Sequence, residues 1–434
     1  MNFNSLIFLI LFLPIFICAF YLVKNKYRYI VLLATSLIFY AYSGIFNFCV
    51  LLIVTVINYL FALILEKNKN KILLILSILI DIASLSFFKY NKSFVLPLGM
   101  SFYIFNNLTY IIDVYNNKIV SEKNILFYFI YACLFSHITM GPILHYDVIR
   151  SKVEDLEFDI NNVGIGLRRF IFGLIKKVLI ADNLGILYSA LIEDSSSSLV
   201  LIFEIIVYGL QLYIDFSSYS DMAIGLGKLM GFDYPENFNY PYLANTVSDF
   251  WRRWHMSLTN FFKEYVYIPL GGNRVGKFRH ILNILIVWAL TGIWHGSTYN
   301  FLLWGLYYGL ILILEKYLLN GFLNKIPGVF RHAYVLLIVF IGYIFFSFSS
   351  IQEIGNYINN LFTLPFISSN FLFYLRQNIV LFIVAIILCF KLENKFKDNK
   401  TFTVVLDVLL VFLYVLAISY IISGTFTPFL YSAF

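Results

Sequence analysis

Apolar runs alternate with short polar loops along the whole chain: Leu6 to Val23, Phe48 to Leu65, Ile281 to Trp294, Phe301 to Leu314, Tyr334 to Phe348, Ile379 to Phe390 and Val404 to Ile422. A full bilayer crossing takes about 20 consecutive apolar residues. Many of these runs are shorter, and glycine, proline or polar residues interrupt them. The pattern predicts an all-α polytopic membrane protein with broken and re-entrant helices, because irregular backbone survives at membrane depth only when buried in protein or lining a water-filled cavity. The stretch from Val200 to Asp221 fits that expectation, since Glu204, Gln211, Asp215, Ser217, Ser218 and Asp221 interrupt an otherwise apolar sequence. The competing reading makes them helix-packing polar groups joined by interhelical hydrogen bonds. No interval is long and polar enough for a separate soluble domain. Residues 1–434 are therefore expected to form a single integral membrane domain, with 423–434 as a tail.

Composition agrees on the solvent. Of the 434 residues, 61% are hydrophobic and 13% charged, against about 25% charged in an average soluble domain. The net charge of +7 does not point to nucleic acid, because the basic residues cluster in loops beside apolar runs, as the positive-inside rule requires. Lys24, Lys26 and Arg28 place the first loop in the cytoplasm, and Lys67, Lys69 and Lys71 do the same for a later one. Lys391, Lys395, Lys397 and Lys400 mark another, from which the last helix crosses outward. Both termini are then external. The N-terminal run has no preceding basic region and no small-residue cleavage site, so it reads as a retained first helix. Cys18, Cys49, Cys133 and Cys389 lie within apolar runs without paired or metal-like spacing, and read as buried packing residues.

The segment from Asp249 to Asn300 carries the candidate chemistry. His255 and His295 stand on either side of a basic, glycine-rich loop. An upright helix rising ~1.5 Å per residue from Arg279 and His280 at a membrane surface brings His295 about 22 Å into a ~30 Å hydrocarbon core. A titratable group so placed usually faces a cavity or a substrate path. Read as one helix, the earlier segment puts Arg253, Ser257, Asn260 and Glu264 on a polar stripe, and Trp251, His255, Leu258 and Phe262 on the other side. His255 is then either a satisfied core histidine or a group aimed into a buried site. His280 and His332 beside arginines, and His137 and His145 flanking the Gly141-Pro142 turn, read as structural or interfacial. No metal-ligand spacing, Walker-type loop or nucleophile elbow is present. Gly271, Gly272 and Gly276 around Asn273 and Arg274 suit either a phosphate cradle or simply a tight loop.

Seven stretches, taken together and in order, are specific. They are LPLGMSFYIFNNLTYIIDVY at 96–115, GPI at 141–143, LRRFIFGLIKKVLIADNL at 167–184, LQLYIDFSSYSDMAIGLGKLMGF at 210–232, WRRWHMSL at 251–258, YIPLGGNR at 267–274 and LTGIWHG at 290–296. The chain resembles the membrane-bound O-acyltransferase (MBOAT) family, and most of all its bacterial alginate O-acetyltransferase branch. The resemblance implies a ring of transmembrane helices around a thinned central tunnel in a bacterial cell membrane. It makes His295 the catalytic histidine and His255 a second polar residue facing the same tunnel. Trp251, Arg252, Trp294 and Asp215 become substrate-binding candidates. The YIPLGGNR stretch resembles the polysaccharide-acetylating branch more than the D-alanylating one. The last six residues, Phe429 to Phe434, resemble an aromatic C-terminal motif whose tyrosine is implicated as an acyl carrier. That role falls on Tyr431, with Phe429 and Phe434 as flanking aromatics; Ser432 and Ala433 are smaller than the residues often found there. Aromatic anchoring at the interface is the plainer explanation of the same residues.

These readings converge on an O-acyltransferase that takes an acyl group, acetyl by preference, from a cytoplasmic thioester. The donor is acetyl-CoA or an acyl carrier protein, with no bound cofactor and no metal. The acceptor is a cell-surface polysaccharide, reached with the help of a separate extracytoplasmic acyltransferase. The nearest alternative is D-alanyl transfer to teichoic acid by the same fold. The other is a transporter or flippase without covalent chemistry, which is commonly built from two similar halves; no internal repeat is visible in the sequence.

Overall fold

The computed structural model describes residues 1–91, 93–391, 400–424 and 429–430. Every regular element among them is a helix. Seven of these helices are long and apolar enough to cross a membrane: Ile45–Lys67, Lys71–Tyr90, Ser198–Leu229, Tyr299–Leu323, Gly328–Ser347, Ser369–Ile387 and Val404–Ile422. Leu60, Leu79, Val380, Val408 and Phe412 project from them unburied. Water would not tolerate apolar surface on that scale, whereas lipid accommodates it. The protein is a multi-pass membrane protein. Cys133 and Cys389 are buried as expected, but Cys18 and Cys49 are exposed. They sit on outward faces of their helices, where a small apolar side chain meets lipid as readily as it meets protein.

The helices form two compact units interleaved in sequence. The first comprises Met1–Leu174, Tyr219–Glu236 and the described part of Ile418–Phe434. Its core is aromatic: Phe3, Phe8, Phe12, Phe16, Phe39 and Phe135 are buried and in ring contact with one another. Irregular backbone does lie inside it, between helix Ile125–Cys133 and helix Tyr146–Arg150. Residues 134–144 are buried throughout, and side chains satisfy both backbone polar groups of Leu144. Asn106 Oδ1 accepts the Leu144 N–H at 3.1 Å, and the Tyr131 hydroxyl donates to the Leu144 carbonyl at 2.8 Å. Arg28, which counts in the sequence as a topological signal, is buried too, donating to the carbonyls of Phe20 and Leu156.

The second unit comprises Ile175–Ser218 and Asn237–Ala417. Its helix pair Lys277–His295 and Tyr299–Leu314 packs backbone against backbone. A Cβ on Gly305 would lie 2.2 Å from the Trp288 carbonyl oxygen, and one on Gly292 2.4 Å from that of Phe301. Small residues permit this approach, as they commonly do between helices in lipid. π-helical turns at Lys176–Ala181, Lys263–Tyr267 and Glu315–Leu319 interrupt the regular geometry.

Irregular backbone at 200–221 is not found. Ser198–Leu229 is one continuous helix, and the helix-packing alternative explains Asp215, Ser217 and Asp221. Within the second unit, Lys177 Nζ is 2.8 Å from Asp215 and 2.7 Å from Asp182, while Lys176 donates to Ser217 at 2.7 Å. Within the first, Arg169 bonds Asp221 and Glu236.

Candidate active site

The site lies in the second unit, where two short helices meet the helix pair. Continuous helix through His255 is not observed: Val247–Arg253 ends before Trp254, and a new helix, Met256–Phe262, begins after His255. Trp254 is extended and His255 is left-handed, at φ 43 and ψ 56. For a residue with a side chain that conformation is uncommon and costs of order 1–3 kcal/mol, so its surroundings must hold it. They do so through the segment at 237–239. The Asn237 carbonyl accepts the Met256 N–H at 2.9 Å, and the Arg253 carbonyl accepts that of Asn239 at 2.9 Å. The Asn237 side-chain oxygen is 3.1 Å from His255 Nδ1 and accepts from the Ser257 N–H and hydroxyl at 3.2 and 2.9 Å. The polar stripe counted along a single helix therefore does not exist, because the break at His255 re-aims every residue after it.

His295 is the final residue of the uninterrupted helix Lys277–His295. Its ring packs edge-on against Trp304 and Phe346, with centroids 4.8 and 5.1 Å apart, and nearly parallel to Phe301 at 6.5 Å. Gly296 is what admits Phe301, since a Cβ there would lie 2.2 Å from its ring. Trp294 links the two histidines. Its ring is 4.6 Å from that of His295 and 6.3 Å from that of His255. Phe216 closes the other side of His255, perpendicular at 4.7 Å. Both imidazoles are buried, at 2% exposure for His255 and 4% for His295. Two imidazoles in one aromatic enclosure suit acyl transfer. Such a site excludes water, strengthens each electrostatic contact, and supplies both a proton acceptor and a group to hold the reacting partner.

The other sequence candidates fall in different places. Trp251 belongs to the wall behind His295, perpendicular to Trp304 at 5.6 Å and to Tyr308 at 4.7 Å. Arg252 is exposed. Asp215 is ion-paired with Lys177 and adjoins Phe216, so it anchors the ring that touches His255. Phe429 belongs to the first unit, where it is buried edge-on against Tyr219 at 5.1 Å. Tyr431 and Phe434 lie outside the described residues, as do Lys395 and Lys397. The glycine loop is a tight turn. Gly271 and Gly272 have φ of 104 and 55, and their N–H groups are already donated to Ile268 and Tyr267 at 2.9 Å each, which leaves neither for a phosphate. The remaining histidines have structural partners: His280 between the Tyr267 and Tyr317 hydroxyls at 2.7 Å each, His332 against the Ala244 carbonyl at 3.2 Å, His137 near the Asn106 amide at 3.4 Å, and His145 near Asp113 at 3.5 Å.

Sequence reasoning missed Asn237, Phe216, Trp304, Phe346 and Lys177. Lys177 stood inside a quoted stretch without a role, and the buried charge of Asp215 was the signal for its partner. Asn237 sits in a loop with no periodicity to betray it.

Known proteins share this arrangement of sequence. The family model described as MBOAT, membrane-bound O-acyltransferase family, matches residues 114–358, which include both histidines and Asn237. The chain is 35% identical over 396 residues to the probable alginate O-acetylase AlgI of Pseudomonas syringae pv. tomato, covering 84% of this chain and 75% of that protein. It is 32% identical over 370 residues to the peptidoglycan O-acetyltransferase of Helicobacter pylori, with 72% and 70% covered. Against the teichoic acid D-alanyltransferase of Bacillus subtilis it is 26% identical over 233 residues, with 50% and 58% covered.

Proposed function

The chain belongs to the membrane-bound O-acyltransferase family, and from that premise we propose that it takes an acetyl group from a cytoplasmic thioester and delivers it for O-acylation of a cell-surface polysaccharide. The observation that carries the proposal is the pair of buried imidazoles, His255 and His295, on either side of Trp294. Attack of a hydroxyl on a thioester carbonyl needs a base for the hydroxyl proton, and imidazole is suited to that near neutral pH. His295 takes that proton. The carbonyl carbon gains a bond to oxygen and loses its bond to sulfur, and the thiolate leaves with the electron pair of the broken bond. Trp251, Trp294 and Trp304 enclose the reacting groups.

The acetyl assignment is supported by the higher identity and coverage of the two O-acetylating relatives compared with the D-alanyltransferase. The donor is acetyl-CoA or an acyl carrier protein on the cytoplasmic face, the side given to the basic loops at Lys24 and Lys67. The polysaccharide and a separate extracytoplasmic acyltransferase act on the other. In this scheme Tyr431 on the external tail carries the acyl group as a phenyl ester, which leaves more readily than an alkyl one.

Replacing His295 with alanine is expected to abolish polymer acylation while the protein still inserts in the membrane; normal acylation by that variant would refute the assignment. Tyr431→Phe separates the relay from the enzyme reading: full acylation by this variant removes the covalent tyrosine step alone. Esters released from the cell surface by mild base distinguish acetate from D-alanine.

A further inference from the structure

The amide of Asn237 determines more than the backbone of its neighbour. Three hydrogen-bonding atoms converge on its Oδ1: the Ser257 main-chain nitrogen at 3.2 Å, the Ser257 hydroxyl at 2.9 Å and His255 Nδ1 at 3.1 Å. Oxygen and nitrogen of an asparagine amide are often interchangeable when such a network is assigned. Here they are not, because a main-chain N–H only donates, so the atom facing Ser257 must be the oxygen. The His255 nitrogen facing that oxygen must then carry a hydrogen. A neutral imidazole has one such hydrogen, so Nε2 bears the lone pair. Phe216 stands perpendicular to the ring at 87° and Trp294 lies on its path toward His295, so the ring plane is fixed as well as the tautomer.

We propose that Asn237 is a positioning residue for the transfer reaction, holding His255 as the Nδ1–H tautomer so that its Nε2 is offered to the site as a hydrogen-bond acceptor. The proposal rests on the acyl-transfer reading given above and sharpens it. Of the roles open to a second histidine, donating a hydrogen bond to the thioester carbonyl or to an oxyanion requires N–H at Nε2. The neutral ring fixed by Asn237 has none there. Accepting a hydrogen bond, from the attacking hydroxyl or from the His295 ring, requires the lone pair that the geometry supplies. Asn237 also takes the Met256 N–H on its carbonyl at 2.9 Å, so one residue sets the left-handed turn, the ring rotation and the tautomer.

The test begins with the wild-type protein, labelled with nitrogen-15 histidine and reconstituted in lipid, using a His255→Gln sample to identify the resonances. A protonated, pyrrole-type Nδ1 and a pyridine-type Nε2 are expected; the opposite assignment overturns the proposal whatever the protein catalyses. Two variants then read the consequence. Asn237→Asp keeps an oxygen acceptor and adds a negative charge that favours protonated His255. It should retain most of kcat, with the acid limb of its pH profile displaced to higher pH by about one unit or more. Asn237→Leu removes the acceptor, and kcat should fall by about 10²-fold, the scale of a ~1 Å misplacement of a reacting group, with KM for the thioester within about twofold of wild type. An unshifted profile in the aspartate variant, or a leucine variant within twofold of the wild-type kcat, contradicts the positioning role. Should the wild-type protein transfer no acyl group at all, the functional reading falls and the spectra still decide the tautomer.

Discussion

Replacing Gly305 with alanine adds one methyl group at the point where the His295 helix and its neighbour touch. That methyl would lie 2.2 Å from the Trp288 carbonyl oxygen, and ordinary contact begins at 3.4 Å. The atom it meets is backbone, so the helices must part by about 1 Å. Overpacking of this kind costs about 1–3 kcal/mol of stability. The change should reach the chemistry as well as the folding, because the helix that moves carries Trp304, whose ring lies 4.8 Å from that of His295. A ~1 Å displacement at a reacting centre lowers a rate by about 10²-fold, equivalent to about 2.7 kcal/mol of barrier. The assay is thioester-dependent acyl transfer by the purified variant in lipid, alongside its thermal melting curve. Gly321→Ala is the control, since a Cβ there meets nothing within 4 Å, and it should behave as wild type. A Gly305→Ala protein that transfers acyl groups at the wild-type rate would refute the link between this helix contact and the geometry of His295, even if its melting temperature fell.

Two further outcomes follow from buried charges. Lys177→Met leaves Asp182 and Asp215 buried without their cation, at a cost of about 3–5 kcal/mol; the detergent-solubilised variant should melt early or fail to accumulate, and adding Asp182→Asn and Asp215→Asn should restore much of the loss. Glu315 accepts the N–H groups of Val247 and Ser248 at 2.7 and 3.0 Å, capping the helix that carries Trp251. Glu315→Leu orphans both donors, at about 1–3 kcal/mol each, and should lower both melting temperature and rate, whereas Glu315→Gln keeps one acceptor oxygen for one of the two donors and should lose about half as much.

The sequence makes the spans legible because lipid imposes a single demand on them: Ile45–Lys67 and Gly328–Ser347 read as apolar runs wherever one begins counting. The helix ending at His295 was equally plain, since its basic start and its Trp-His-Gly end bracket the mainly apolar stretch from Ile281 to Trp294. His255 was visible as a residue but not as a conformation. No local propensity favours a left-handed histidine, and the residue that holds it, Asn237, lies 18 positions upstream in a loop. The same limit hid the Lys177 clamp, which joins residues 38 apart. It also turned paired polar groups at 200–221 into an apparent break in a helix. Trp304 and Phe346, which wall the site, are indistinguishable in sequence from aromatics that face lipid; only packing separates them.

Catalysis by the two buried imidazoles is open to direct measurement. Purified protein reconstituted in lipid, given an acetyl thioester labelled in the acyl group, should yield base-labile label on an added hydroxyl acceptor or on the protein itself. The His295→Ala protein, equally folded by its melting curve, should yield none. Equal labelling of the two proteins would contradict the account.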